Sequence, residues 1–148
     1  MLTREQATQA ILEAKKNKGL TFDAIAKAVG RHKVWVTSAL LGQATMSREE
    51  AQKAVQVLGL EADVAAALET IPSKGSIGQA VPVDPLIYRF HEITQVYGTT
   101  LKALIHEMFG DGIMSAIDFE MDIQKKEDPK GERVVVTMSG KFLPYKKW

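Results

Sequence analysis

Apolar and small residues at Ala7, Ala10, Ile11 and Ala14 recur at the i, i+3, i+4 spacing of one helical face. That predicts an amphipathic helix over 4–17, with Gly19 as its stop. Thr21 is placed to cap a second helix over 22–28, Gly30 breaks the pattern, and Val34 to Leu41 resumes it as far as Gly42. Ser47 and Glu50 have the spacing of a capping box for a helix through Val57, and a short helix over 61–68 follows Gly59. The first 70 residues therefore predict a compact five-helix domain.

The stretch from Ile71 to Pro85 holds three prolines and two glycines in fifteen residues, which predicts an extended linker. Helical spacing returns from Leu86 to Tyr97, where Gly98 is expected to end one helix before Thr99 or Thr100 caps another running to Phe109. The period then changes to two. Ser115, Ile117, Phe119, Met121 and Ile123 alternate with Ala116, Asp118, Glu120, Asp122 and Gln124, as along a half-buried strand. "EDPKGE" reads as a turn, 133–138 as a β-branched second strand, and "KFLPY" as a short third extended piece. The expected class is α+β: a helical domain over 1–75, and a helix-plus-hairpin domain over 76–148. A lone hairpin with little helix seldom supplies its own core, so a partner chain is expected to cover that sheet.

One residue breaks the second domain's apolar pattern. At about 100° per residue, Arg89 shares a narrow sector with Ile93 and Val96, where a core leucine would ordinarily stand. A buried guanidinium without a partner is costly, and Glu92 at i+3 is within reach. Two readings stand side by side: a structural ion pair whose arginine head reaches water, or an arginine oriented by Glu92 with donors left over for a small anion. "FGDGIMS" sets two glycines ahead of Ser115, either as an ordinary turn or as a backbone concavity with N–H groups turned inward. Ser115 opens on the apolar side of its strand, so its hydroxyl needs a partner.

Composition narrows the classes. Nineteen basic and eighteen acidic residues leave a net charge of +1, so any anion site must be local. The absence of cysteine excludes disulfides, thiolate metal sites and a cysteine nucleophile. The first residues lack the apolar core of a secretion signal and no apolar run reaches the roughly 20 residues of a membrane span, so a cytoplasmic location is expected. His32, His91 and His106 are dispersed and do not have the spacing of a zinc helix. Residues 21–42 have helix-turn-helix spacing, which makes a DNA-binding protein the rival class. Against it, residues 1–70 carry nine basic and eight acidic side chains, too balanced for strong phosphate binding.

"YRFHEITQVYGTTLKALIHEMFGDGIMSAIDF", with "GKFLP" near the end, "VTSALLGQ" and "PVDP", closely resembles the cyanase family, also called cyanate hydratases or cyanate lyases. The likeness runs in order along nearly the whole chain. It implies that Arg89, Glu92 and Ser115 are catalytic, and that backbone near Ile113 and Leu143 contacts bound anions. It further implies a homodecamer of five dimers with interlaced C-terminal segments, active sites between dimers, and no metal or organic cofactor. Its reaction would be bicarbonate attack on cyanate, through a dicarboxylated intermediate and carbamate, to ammonia and carbon dioxide. Cyanate and bicarbonate would be the partners, with no nucleic acid and no membrane. Arg89 has one basic neighbour between residues 86 and 124 besides histidine, Lys102, so a pocket for two anions is expected to draw a second arginine from another subunit.

Overall fold

The fold is described from a computed structural model covering residues 2–75 and 77–148. The chain divides into two compact units, Met1–Gly78 and Gln79–Trp148.

The first unit carries α1 (Arg4–Asn17), α2 (Phe22–Val29), α3 (Lys33–Leu40), α4 (Arg48–Leu58) and α5 (Ala62–Leu68). Four of these helices start on a side-chain cap. Thr3 and Ser47 form complete capping boxes with Gln6 and Glu50, while Thr21 and His32 accept from backbone N–H groups of the first turn. Gly30 and Gly59 close α2 and α4 in the left-handed conformation, which glycine adopts without a Cβ penalty. The faces so aligned bury Ile11, Ile25, Val36, Leu40, Leu58 and Leu68 in one core, and the described apolar core lies wholly within this unit. Arg4 ties three segments together: its guanidinium donates to the carbonyls of Ala39 (3.0 Å), Ala44 (2.8 Å) and Ala67 (3.0 Å). Arg31 donates to Glu50 at 2.6 Å, joining the turn after α2 to the start of α4.

The second unit holds α6 (Pro85–Phe109), β1 (Gly112–Lys126) and β2 (Arg133–Pro144), the strands paired antiparallel in a two-stranded sheet. The α+β class agrees with the sequence reading, but two local expectations do not hold. Gly98 does not interrupt the helix, and α6 runs through it as one element of 25 residues. Gly98 avoids positive φ, and its cost of about 1 kcal/mol relative to alanine is spread over some seven helical turns. "KFLPY" makes no third strand, because β2 continues through it as far as Pro144.

None of the α6 side chains is buried. Leu86, Phe90, Ile93, Val96 and Tyr97 project from it about half exposed or more, and Ile117 on β1 is 98% exposed. The helix meets the hairpin at its C-terminal end, where Phe109 stacks on Phe142 with ring centroids 5.1 Å apart. His106 Nε2 lies 3.2 Å from the Gly112 carbonyl at the same junction. The unit thus has regular secondary structure without an interior of its own.

Candidate active site

Asp84 opens α6. Its Oδ1 accepts from the N–H groups of Leu86 and Ile87, both at 2.9 Å, and Pro85 fills the first helical position, where a missing N–H is harmless. The helix start fixes the next turn, because Arg89 Nε donates back to the Pro85 carbonyl at 3.2 Å. Arg89 Nη1 pairs with Glu92 Oε2 at 3.0 Å, and the guanidinium lies over the Tyr88 ring, 5.1 Å from its centroid. Nε, Nη1 and one face of the fork are thereby occupied. Nη2 has no protein partner among the described residues, so the guanidinium is oriented while keeping donors to spend.

The expected burial of this arginine is not met within one chain. The Arg89 side chain is 59% exposed and that of Glu92 46%, because among the described residues of the unit none covers the apolar face around them. The stripe is apolar, as its spacing indicates, and among the described residues nothing in its own unit encloses it.

Ser115 is placed by an irregularity in the sheet. Met114 stands opposite Phe142 and Phe119 opposite Gly140, so the four residues from Ser115 to Asp118 face Lys141 alone. In that bulge the Ser115 Oγ accepts from the N–H groups of Ile117 and Asp118, each at 3.0 Å, and the residue is 4% exposed. The partner that its burial demanded is therefore its own strand's backbone. With two N–H groups donating to the oxygen, the remaining capacity of the hydroxyl is to donate its proton. Ile113 and Leu143 are cross-strand partners just before the bulge.

The chain thus brings Arg89 to Glu92, and sets Ser115 near the Ile113–Leu143 pair. It does not bring the two groups together: among the described residues no hydrogen bond, ion pair or ring contact joins them. Arg89 lies roughly 25 Å along the helix from His106, where the hairpin attaches, at 1.5 Å per residue. The sequence reading missed the Asp84 cap, the Tyr88 face, the Ser115 bulge and the junction at His106. The first had a signal in the dipeptide Asp84–Pro85. Among the described residues no cluster of three or more histidine or carboxylate side chains is placed to hold a metal ion.

Two family models match the chain end to end: cyanate hydratase, N-terminal, over residues 4–72, and the cyanate lyase C-terminal domain over 79–147. The chain is 58% identical to the cyanate hydratase of Synechococcus sp. (strain CC9311), over 95% of its own length and 94% of that protein. It is 55% identical to the cyanate hydratase of Parasynechococcus marenigrum (strain WH8102), over 99% of its own length and 100% of that protein. A crystal structure of cyanase from T. urticae matches with a TM-score of 0.84 at 44% identity, covering 93% of this chain and 96% of that one. These likenesses lend nothing to the DNA-binding alternative for α2 and α3. With its helical unit, its helix-and-hairpin unit and its sequence all matched at this level, the chain belongs to the cyanate lyase family.

Proposed function

We propose that the protein decomposes cyanate with bicarbonate as co-substrate, at a site built from Arg89, Glu92 and Ser115. The carrying observation is the state of Arg89: Glu92, Pro85 and Tyr88 hold it through Nη1, Nε and one face, and Nη2 has no protein partner among the described residues. The ion pair leaves those Nη2 donors unused; a small carboxylate-like anion can take them.

Cyanate and bicarbonate repel one another and are tightly hydrated in water. Most of the catalysis then consists of bringing them together beside positive charge that is already oriented. A bicarbonate oxygen bonds to the cyanate carbon, while the nitrogen takes up the bicarbonate proton and one more from solvent. The mixed anhydride so formed loses carbon dioxide, leaving carbamate. Protonation of the carbamate nitrogen splits its C–N bond to give ammonia and a second carbon dioxide. Arg89 holds the anions, Glu92 orients Arg89, and the Ser115 hydroxyl donates to a substrate oxygen or nitrogen as charge shifts. Backbone at Ile113 and Leu143 supplies further contacts. The reaction as drawn needs no metal or organic cofactor.

Arg89 lies near the start of α6 and Ser115 on β1 beyond the helix's far end, so in this reading the site is completed by other copies of the chain. A decamer of five dimers, with interlaced C-terminal segments and pockets between dimers, supplies both the missing cover and a second Arg89 per pocket. No helix among the described residues is long and apolar enough to cross a membrane, and a cytoplasmic location fits this reading. The test is ammonia release from cyanate by purified protein, with bicarbonate present and then stripped out. Turnover that needs bicarbonate is expected; no ammonia release, or release indifferent to bicarbonate, overturns the proposal.

A further inference from the structure

We propose that Gly140 is a positioning residue for the reaction: its lack of a side chain lets β2 approach the Ser115 peptide closely enough to hold the bulge that aims the Ser115 hydroxyl. The inference rests on the catalytic role proposed for Ser115. Gly140 avoids positive φ, so its backbone conformation is open to any residue and the demand for glycine is one of space. A Cβ at this position would collide with the Ser115 carbonyl oxygen and would lie 2.6 Å from Met114 Cγ. Met114 can turn aside. The Ser115 carbonyl belongs to the backbone and moves only if the bulge moves with it.

That peptide carries the hydroxyl whose oxygen is pinned by the N–H groups of Ile117 and Asp118 at 3.0 Å each. Comfortable C···O contact begins near 3.3 Å, so an alanine methyl displaces the Ser115 peptide by on the order of 1 Å. A reacting group misplaced by that much costs on the order of 100-fold in rate. Among the described residues no hydrogen bond, ion pair or ring contact joins Arg89, on α6, to this part of the hairpin, so it keeps its hold on the anion.

The experiment is a double-mutant cycle on the assembled enzyme, measuring kcat and KM for cyanate in wild type, Gly140→Ala, Ser115→Ala and the pair. Gly140→Ala is expected to lower kcat roughly 100-fold while KM moves less than about 3-fold, with assembly and Tm retained. In the Ser115→Ala background the same change is expected to have no further effect, since the group it misplaces is gone. An equal loss in both backgrounds, or full activity of Gly140→Ala, overturns the proposal. Wild-type turnover by Ser115→Ala would instead remove Ser115 from the mechanism, and the role of Gly140 with it. If Gly140→Ala does not fold, the cycle is run with Met114→Ala added, which clears the movable half of the crowded space. Failure of that variant to fold would make the glycine a requirement of the fold and likewise overturn the proposal.

Discussion

Replacing Arg89 by leucine separates the two things an arginine on an apolar stripe can do. Its pair with Glu92 is 3.0 Å long, but both side chains are about half exposed in the chain. Exposed pairs of this kind contribute about 0.2–1 kcal/mol, and leucine is as good a helix former as arginine. The fold should therefore lose less than about 1 kcal/mol. The reaction should lose far more, because two charge-assisted hydrogen bonds from the Nη2 donors to a developing charge are worth about 1.5–3 kcal/mol each. Their removal predicts a fall in kcat/KM of at least roughly 100-fold. Arg89→Lys keeps the charge and forfeits the planar fork, so it should recover a small part of the loss. Ammonia release is the assay, with melting and sedimentation run on the same preparations. If activity declined only in step with Tm or with assembly, the arginine would be structural. Retained turnover in Arg89→Leu would remove it from the mechanism altogether.

Glu50 should make the helical unit sensitive to acid. Its carboxylate accepts from the Ser47 backbone at 2.8 Å and from Arg31 at 2.6 Å, and with the side chain 11% exposed these bonds hold its pKa below the ordinary value. A depressed folded-state pKa gives stability that is complete above the unfolded value of about 4.3 and fades as pH falls through the folded value. Glu50→Gln should cost about 1–3 kcal/mol at pH 7 and progressively less as pH falls below about 4.3, read as a Tm difference that closes on acidification. A gap that stayed constant with pH would refute this. Arg4→Met removes three charged hydrogen bonds, to carbonyls at the ends of α3 and α5 and in the segment after α3, and should cost about 2–3 kcal/mol in urea unfolding; a loss below about 0.5 kcal/mol would show that water replaces them. Phe90→Asp puts a charge on the uncovered α6 face. It should abolish assembly and ammonia release together while helical circular dichroism persists, and an intact oligomer by ultracentrifugation would refute the proposed cover.

The helical unit was the more legible part of the sequence because its instructions are local. Thr21, Ser47 and Glu50 act within a turn of where they stand, and Gly30 and Gly59 act where they stand. Gly98 misled because local propensity was weighed as if it were a helix end, and a weak helix former in mid-helix costs too little to end one of this length. The Ser115 bulge was hidden for the opposite reason: it arises from how β1 and β2 register around Lys141, which no period along one strand encodes. Arg89 was conspicuous as a charge on an apolar stripe. Its surroundings were not, since the described residues of its own unit leave it more than half exposed, and the cover proposed for it would come from other copies.

The uneven distribution of interior between the units also bears on how the protein comes to be made. The helical unit, emerging first from the ribosome, has everything it requires to fold as it appears. The later unit arrives with Phe90, Ile93, Val96 and Ile117 bare, and on the proposed assembly it would stay sticky until it met its like. Catalytic output should then rise more steeply than the number of chains at low expression and become proportional only once encounters outpace synthesis. A cell holding a few scattered copies would possess the polypeptide without possessing the enzyme.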